Sequence, residues 1–197
     1  MQIGIIGTGR IASGVGQRLI KAGHAVFFGS RDTSKAQIAA QAIGAQGGTQ
    51  AEAVSFGEVI ILAVPFGSVA EVVSELPGLK GKIVIETAND FQGTDPLSTT
   101  ERVQALLPDS KVVKAFNHIF SQVIANPDAQ GLTAFIAGND SAAKAVVKTL
   151  LEDIGFEVVD VGGAKEAMHL DHLVRFIVFL GYDHGMGTDL AFKLVKV

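Results

Sequence analysis

The sequence predicts an α/β fold, a doubly wound and mostly parallel sheet followed by a short C-terminal helical extension. Three observations predict it. Apolar runs of strand length alternate with helix-length amphipathic segments as far as residue 161. A glycine-rich turn joins the first such strand to the first helix. The run 58–64, EVIILAV, is apolar almost without interruption, the habit of a strand buried on both faces. Residues 1–163 are assigned to this domain and 164–197 to a helical extension packed on it.

The first unit reads QIGIIGTGRIASGVGQRLIKAGHAVFFGSR. Ile3, Ile5 and Ile6 form a strand, and Ile11, Val15, Leu19 and Ile20 share one helix face. Between them, Gly7 allows a sharp exit, and Gly9 leaves the backbone open to a pyrophosphate at the helix N-terminus. Ala12 stands in the third small position, where close helix–strand packing needs little bulk. Strand, glycine turn, helix and strand make the opening of a dinucleotide-binding Rossmann domain.

The tip of the second strand, 25–29, indicates which dinucleotide. An unphosphorylated ribose is usually met by Asp or Glu about 20 residues beyond the glycines. Here Ser30 and Arg31 end the strand and Lys35 follows one helical turn later, a set that attracts a 2′-phosphate. Asp32 sits where a helix N-cap belongs. NADP(H) is expected over NAD(H).

A helix is expected over 33–43, a loop at Gly47-Gly48, and a short helix over 51–56. The third strand, 58–64, stops at Pro65, on the side where open α/β sheets bind ligands. Ala63 and Val64 offer backbone there and Phe66 a ring for the adenine or ribose, although Pro65 and Gly67 also suit a plain turn. After a helix over 68–76, the fourth strand, 82–86, leads to Asn89-Asp90. The Asn89 amide suits a nicotinamide carboxamide, and turn chemistry equally favours Asn-Asp. A helix over 99–107 precedes the fifth strand, 111–116, which empties into Asn117-His118. His118 is the candidate catalytic acid, because an unperturbed imidazole titrates near neutrality. The alternative is a loop histidine bonded to backbone. A sixth strand over 132–137, a helix over 142–154 capped by Asp140 or Ser141, and a seventh strand over 156–161 complete the alternation.

A helix is expected over 164–180, then a glycine-rich turn over 181–187. His169, Asp171, His172, Asp183 and His184 fix no ligand geometry and are read as a solvated polar face, with no metal.

Net charge of −4 gives no support to a nucleic-acid partner. Absence of cysteine removes disulfides, thiolate metal sites and thiol nucleophiles. No apolar run approaches the ~18 residues of a membrane span. The turn at residue 7 leaves no room for a signal peptide ahead of it, so a cytoplasmic location is expected.

The combination of IGIIGTGRIASGVGQRL, FFGSRD with Lys35, IILAVPF, KVVKAFN and a closing GMG-x-x-x-AFKL resembles the NADPH-dependent F420 reductases and their bacterial relatives. It spans nearly the whole chain. A cytoplasmic domain of ferric and cupric reductases looks similar through the first two-thirds. The resemblance implies that Thr8, Gly9, Arg10 and Ile11 contact the pyrophosphate and that Ser30, Arg31 and Lys35 hold the 2′-phosphate. It also implies that Val64 and Pro65 flank the nucleotide and that the nicotinamide lies toward Asn89 and the Asn117-His118 loop. A deazaflavin (F420) or flavin-like acceptor would stack over it. Hydride transfer between two planar rings asks a protein mainly for alignment and exclusion of water. Reduction of a small carbonyl or imine, with His118 as proton donor, is the alternative; a non-catalytic NADP(H) sensor is a third. Related dehydrogenases add a large helical domain; here the pocket must come from loops, the terminal helix or a second subunit, so a homodimer is expected.

Overall fold

Ile3, Ile5 and Ile6 are wholly buried, as befits a strand in the interior of the sheet. The structure, a computed structural model, describes residues 1–93 and 95–197. Strands β1 (Gln2–Ile6), β2 (Ala25–Gly29), β3 (Gln46–Gly48), β4 (Val59–Leu62), β5 (Ile83–Glu86), β6 (Lys111–Lys114), β7 (Leu132–Gly138) and β8 (Phe156–Asp160) form one sheet. Their order is β3-β2-β1-β4-β5-β6-β7-β8. The order reverses between β1 and β4, so a crevice opens at the carboxyl ends of those two strands. All pairings are parallel except β6 with β7.

Helices α1 (Arg10–Lys21), α2 (Thr33–Gln41), α3 (Gln50–Phe56), α4 (Phe66–Ser74), α5 (Thr99–Leu106), α6 (Ser121–Ala125), α7 (Ser141–Asp153) and α8 (Ala167–Val178) accompany the strands. Among the described residues their apolar faces make two large cores and a small third one, Ala137 with Ala167 and Leu170 of α8. The first large core gathers Val15, Leu19, Phe28, Val113, Ile124 and Leu150; the second gathers Ile6, Ile60, Leu62, Val69, Val84 and Val103. Asp32 caps α2 through the Ser34 N–H, as expected, and Asp140 caps α7 through the Ala143 N–H.

Three expectations are corrected. Gly47-Gly48 is not a loop but part of β3, paired to β2. A Cβ at Gly47 would collide with the Ala36 carbonyl of α2, so the glycine marks a close approach of backbones inside a strand. The terminal helix starts at Ala167, not residue 164, and ends in a π-helical turn, Phe179–Asp183, so Gly181 to Asp183 are helical instead of opening a turn. Asp171 is not part of a solvated face: its carboxylate reaches the buried Lys114 ammonium at 3.0 Å and accepts the Thr99 N–H at 2.9 Å.

Two long-range features hold the far flank. Arg18, in the last turn of α1, is 93% covered and donates to five main-chain carbonyls, those of Val123, Ile124, Asn126, Ala129 and Ile154. Its guanidinium also lies 5.0 Å from the centre of the Phe156 ring. On β7, the edge that β6 leaves uncovered is completed piecemeal. The His118 ring accepts from the Phe135 N–H, and the Phe192 carbonyl accepts from the Thr133 N–H. No helix of the described residues is long and apolar enough to cross a membrane.

Candidate functional site

The crevice at the strand reversal is a pocket of about 620 Å³, within the range that binds small molecules. It gathers residues that are far apart in the chain: Gly9, Arg10 and Ile11; Ala63, Val64, Pro65 and Phe66; Asn89; Asn117 and His118. The reason is the topology, since each group follows the carboxyl end of β1, β4, β5 or β6. Thr8 lines an adjoining groove that shares Gly9 and Arg10 with the pocket.

Gly7 and Gly9 have different duties. Gly7 adopts φ of +116°, and a Cβ there would strike the Ala63 carbonyl, so the turn itself requires glycine. At Gly9 a Cβ would meet nothing within 4 Å, so no contact within the chain demands glycine. Gly9 is the N-cap of α1 and makes no side-chain cap, and the first turn carries no acidic residue. The first N–H groups of α1 therefore face the crevice without an internal anion, a cradle that fits a pyrophosphate.

Ser30, Arg31 and Lys35 stand together at the tip of β2, outside the pocket wall. Ser30 Oγ accepts the Asp32 N–H at 3.2 Å. Arg31 donates to Glu71 Oε1 of α4 at 3.0 Å, with both side chains more than half exposed. Lys35 lies 3.8 Å from Asp32 and is 69% exposed. The three retain donors on the solvent side.

At the other end, Asn89 and Asn117 are locked together. Asn89 Nδ2 donates to the Asn117 carbonyl at 2.9 Å, and Asn117 Nδ2 donates to Asn89 Oδ1 and to the Leu170 carbonyl of α8, each at 3.1 Å. Phe116, the residue that throws the chain from β6 into this loop, has φ of +65°, an uncommon value for a bulky residue. Its ring is buried against Phe156, edge to face.

His118 lines the wall but is 1% exposed. Its pKa is lowered to about 4, chiefly by burial, with a backbone contact to Thr133 opposing and the Lys114 charge adding to the fall. Nε2 accepts from the Phe135 N–H at 3.4 Å, which puts the ring proton on Nδ1, facing Asn117 Oδ1 at 3.2 Å. The imidazole is thus neutral at physiological pH, and the expectation that it titrates near neutrality is corrected by its desolvation. Its Nδ1 proton is committed to Asn117.

Several pocket residues were not identified as such from sequence. Val174, Ile177 and Val178 of α8, with Tyr182 of the π-helical turn, close one side. Tyr182 meets Phe120 edge to face at 6.0 Å. Phe91 lines the same side. Beneath Asn89 lies the fully buried pair Lys114–Glu86 at 2.8 Å. Opposite charges at the last paired positions of two apolar strands were the available signal.

Residues 2–90 match the family model described as "NADP oxidoreductase coenzyme F420-dependent". The chain is 31% identical to the F420-dependent NADP reductase of Methanocaldococcus jannaschii, with 100% of both chains covered. The chain belongs to the F420-dependent NADP oxidoreductase family. Within that family it is an NADP-dependent oxidoreductase. It is also 30% identical to the metalloreductase STEAP3 of Rattus norvegicus, over 86% of this chain but only 36% of that protein. A crystal structure of a protein from Arthrobacter sp. FB24 shares the fold at a TM-score of 0.88, with 24% identity and full coverage of both chains.

Proposed function

We propose that this member of the family moves hydride between NADP(H) and a planar, flavin-like acceptor such as a flavin or the deazaflavin F420. The observation that carries the reading is the chemistry of the 620 Å³ pocket. One end is peptide backbone and amide, the other is aromatic and aliphatic, with the 65% exposed Tyr182 as its one phenol among the described lining residues, and the imidazole on its wall is neutral and committed. A small ketone or imine becomes a strong base as it accepts hydride and needs an acid beside it. A flavin-like ring spreads the added charge over its conjugated system and takes its proton from water afterwards. The pocket therefore favours two stacked rings over carbonyl reduction.

The nicotinamide supplies the hydride chemistry. This chain's own residues bind, align and exclude water. Gly9, Arg10 and Ile11, beside Thr8, would hold the pyrophosphate at the α1 N-terminus. Ser30, Arg31 and Lys35 would hold the 2′-phosphate by charge-assisted hydrogen bonds. Ala63, Val64, Pro65 and Phe66 would flank the nucleotide. Asn89 and Asn117 would orient the carboxamide, and Ile119, Phe120, Val174, Ile177 and Tyr182 would keep water from the meeting rings.

Phe91 and Tyr182 line this pocket, and Phe176 and Phe179 lie on α8 and the π-helical turn that close it; all four are about half exposed or more. A homodimer would cover them. Light scattering at micromolar concentration should return twice the 20.5 kDa chain mass; a monomeric mass would remove this element. The test of function is NADPH oxidation against F420, FMN, FAD, ferric citrate and small carbonyls. Turnover confined to the planar acceptors supports the reading; preference for a carbonyl rejects it. Tight NADPH binding without turnover would make the protein a sensor.

A further inference from the structure

Ala88 immediately precedes Asn89, and both of its backbone polar groups are gripped by a single ion pair. Lys114 Nζ donates to the Ala88 carbonyl at 3.1 Å, and the Ala88 N–H donates to Glu86 Oε2 at 3.0 Å. Lys114 and Glu86 touch each other at 2.8 Å, and neither side chain has any solvent exposure. Their proximity follows from register, since Glu86 and Lys114 are Cα partners in the parallel β5–β6 ladder.

A buried ion pair is an expensive way to fill space. Two apolar side chains of similar volume would cost less desolvation. The pair is nonetheless satisfied on every side. Lys114 also donates to Thr99 Oγ1 at 2.6 Å and pairs with Asp171 of α8; Glu86 Oε1 also accepts from the Thr100 hydroxyl at 2.7 Å. Such a network admits one geometry where an apolar cluster would admit many. What it fixes is the peptide that presents Asn89. Asn89 in turn pairs with Asn117, so the whole amide end of the pocket stands on Lys114 and Glu86. None of the side-chain bonds of Lys114 or Glu86 reaches the glycine turn or the β2 tip.

We infer that Lys114 and Glu86 are positioning residues for the nicotinamide half of the cofactor, acting through the Ala88 peptide on Asn89. The inference rests on the proposed role of Asn89. It separates the two halves of one ligand, because the phosphate half is held by elements that the pair does not touch.

The experiment compares two ligands by calorimetric titration: NADP⁺, and adenosine 2′,5′-bisphosphate, which lacks the nicotinamide half. The Lys114→Met/Glu86→Gln double variant leaves the net charge of the cluster unchanged but removes the charged grip on Ala88. It should bind the bisphosphate within about twofold of wild type and NADP⁺ about tenfold more weakly, the scale of lost orientation. Glu86→Gln alone, which keeps Lys114 and the side-chain shape, should show the same split at smaller size if the double variant does not fold. Asp171→Asn, which touches Lys114 but not Ala88, should leave the ratio of the two affinities unchanged. Parallel weakening of both ligands, or no weakening of NADP⁺, would overturn the inference. A wild type that binds the bisphosphate as tightly as NADP⁺ overturns it too, while leaving the cofactor reading intact. A wild type that binds neither ligand rejects both.

Discussion

Arg31 and Glu71 face each other across 3.0 Å, one at the tip of β2 and the other on α4. A 2′-phosphate arriving at Arg31 must compete with that carboxylate and be repelled by it. Glu71→Gln is therefore expected to tighten NADPH binding. Both partners are exposed, so the pair is worth at most about 1 kcal/mol and the gain is no more than about fivefold. Raising the salt concentration should erase it. Fluorescence titration with NADPH at low and high ionic strength checks this; an unchanged affinity at low salt would remove Glu71 from cofactor selection.

Gly9→Ala and Gly7→Ala should fail in opposite ways. The added methyl at Gly9 meets no atom of the chain, so the melting temperature should fall only by the modest N-cap preference for glycine over alanine, about 1 kcal/mol, while NADPH binding weakens by about tenfold or more. At Gly7 the methyl strikes the Ala63 carbonyl from a left-handed backbone, so the fold itself should be lost or badly weakened. Thermal melts with and without NADPH separate the two. A Gly9→Ala protein that melts as early as Gly7→Ala would contradict the open cradle.

His118 makes stability depend on acid. Its folded pKa lies near 4 and its ordinary value is 6.5. The unfolded chain therefore takes up a proton that the native state refuses. The stabilisation is complete above pH 6.5 and is lost as pH falls toward 4, by roughly 3 kcal/mol at most. Urea melts from pH 7 to 4 should show His118→Gln losing less stability than wild type across that window. Equal losses would mean that the imidazole is protonated in place.

Arg18→Met should be among the most damaging single changes. It strips the donor from five main-chain carbonyls around α6 and the α7–β8 turn. The cost should be about 3–5 kcal/mol, since partners left unpaired in a buried site lose their full desolvation penalty. Chemical denaturation measures it, and Arg18→Lys should recover part. A loss below about 1 kcal/mol would show that water replaces the guanidinium.

What the sequence disclosed was local. The glycine turn, the strand tip at Ser30-Arg31 and the polar residues after each apolar strand are contiguous signals, and the crevice assembles from them. The fate of a side chain that depends on a distant segment was not disclosed. His118 reads as a loop histidine; its burial comes from β7, which supplies the Phe135 N–H. Lys114 reads as a strand residue like Lys111, yet one is buried and the other exposed, because only Lys114 faces Glu86 and Asp171. Gly47-Gly48 reads as a break, because a glycine chosen for backbone proximity and one chosen for a turn look alike in one dimension.

The segment around Phe192 has a protective consequence. It rests on β7 through the Thr133 N–H, and Leu194 N–H donates to Thr133 Oγ1 at 2.8 Å, beside the place that the His118 ring fills. Without that strap the start of β7 would present unsatisfied main-chain donors to any passing polypeptide, an invitation to strand capture and clumping. Trimming the molecule after Gly187 should therefore be felt first as poor recovery and turbidity at high concentration, before any deficit in catalysis is measured.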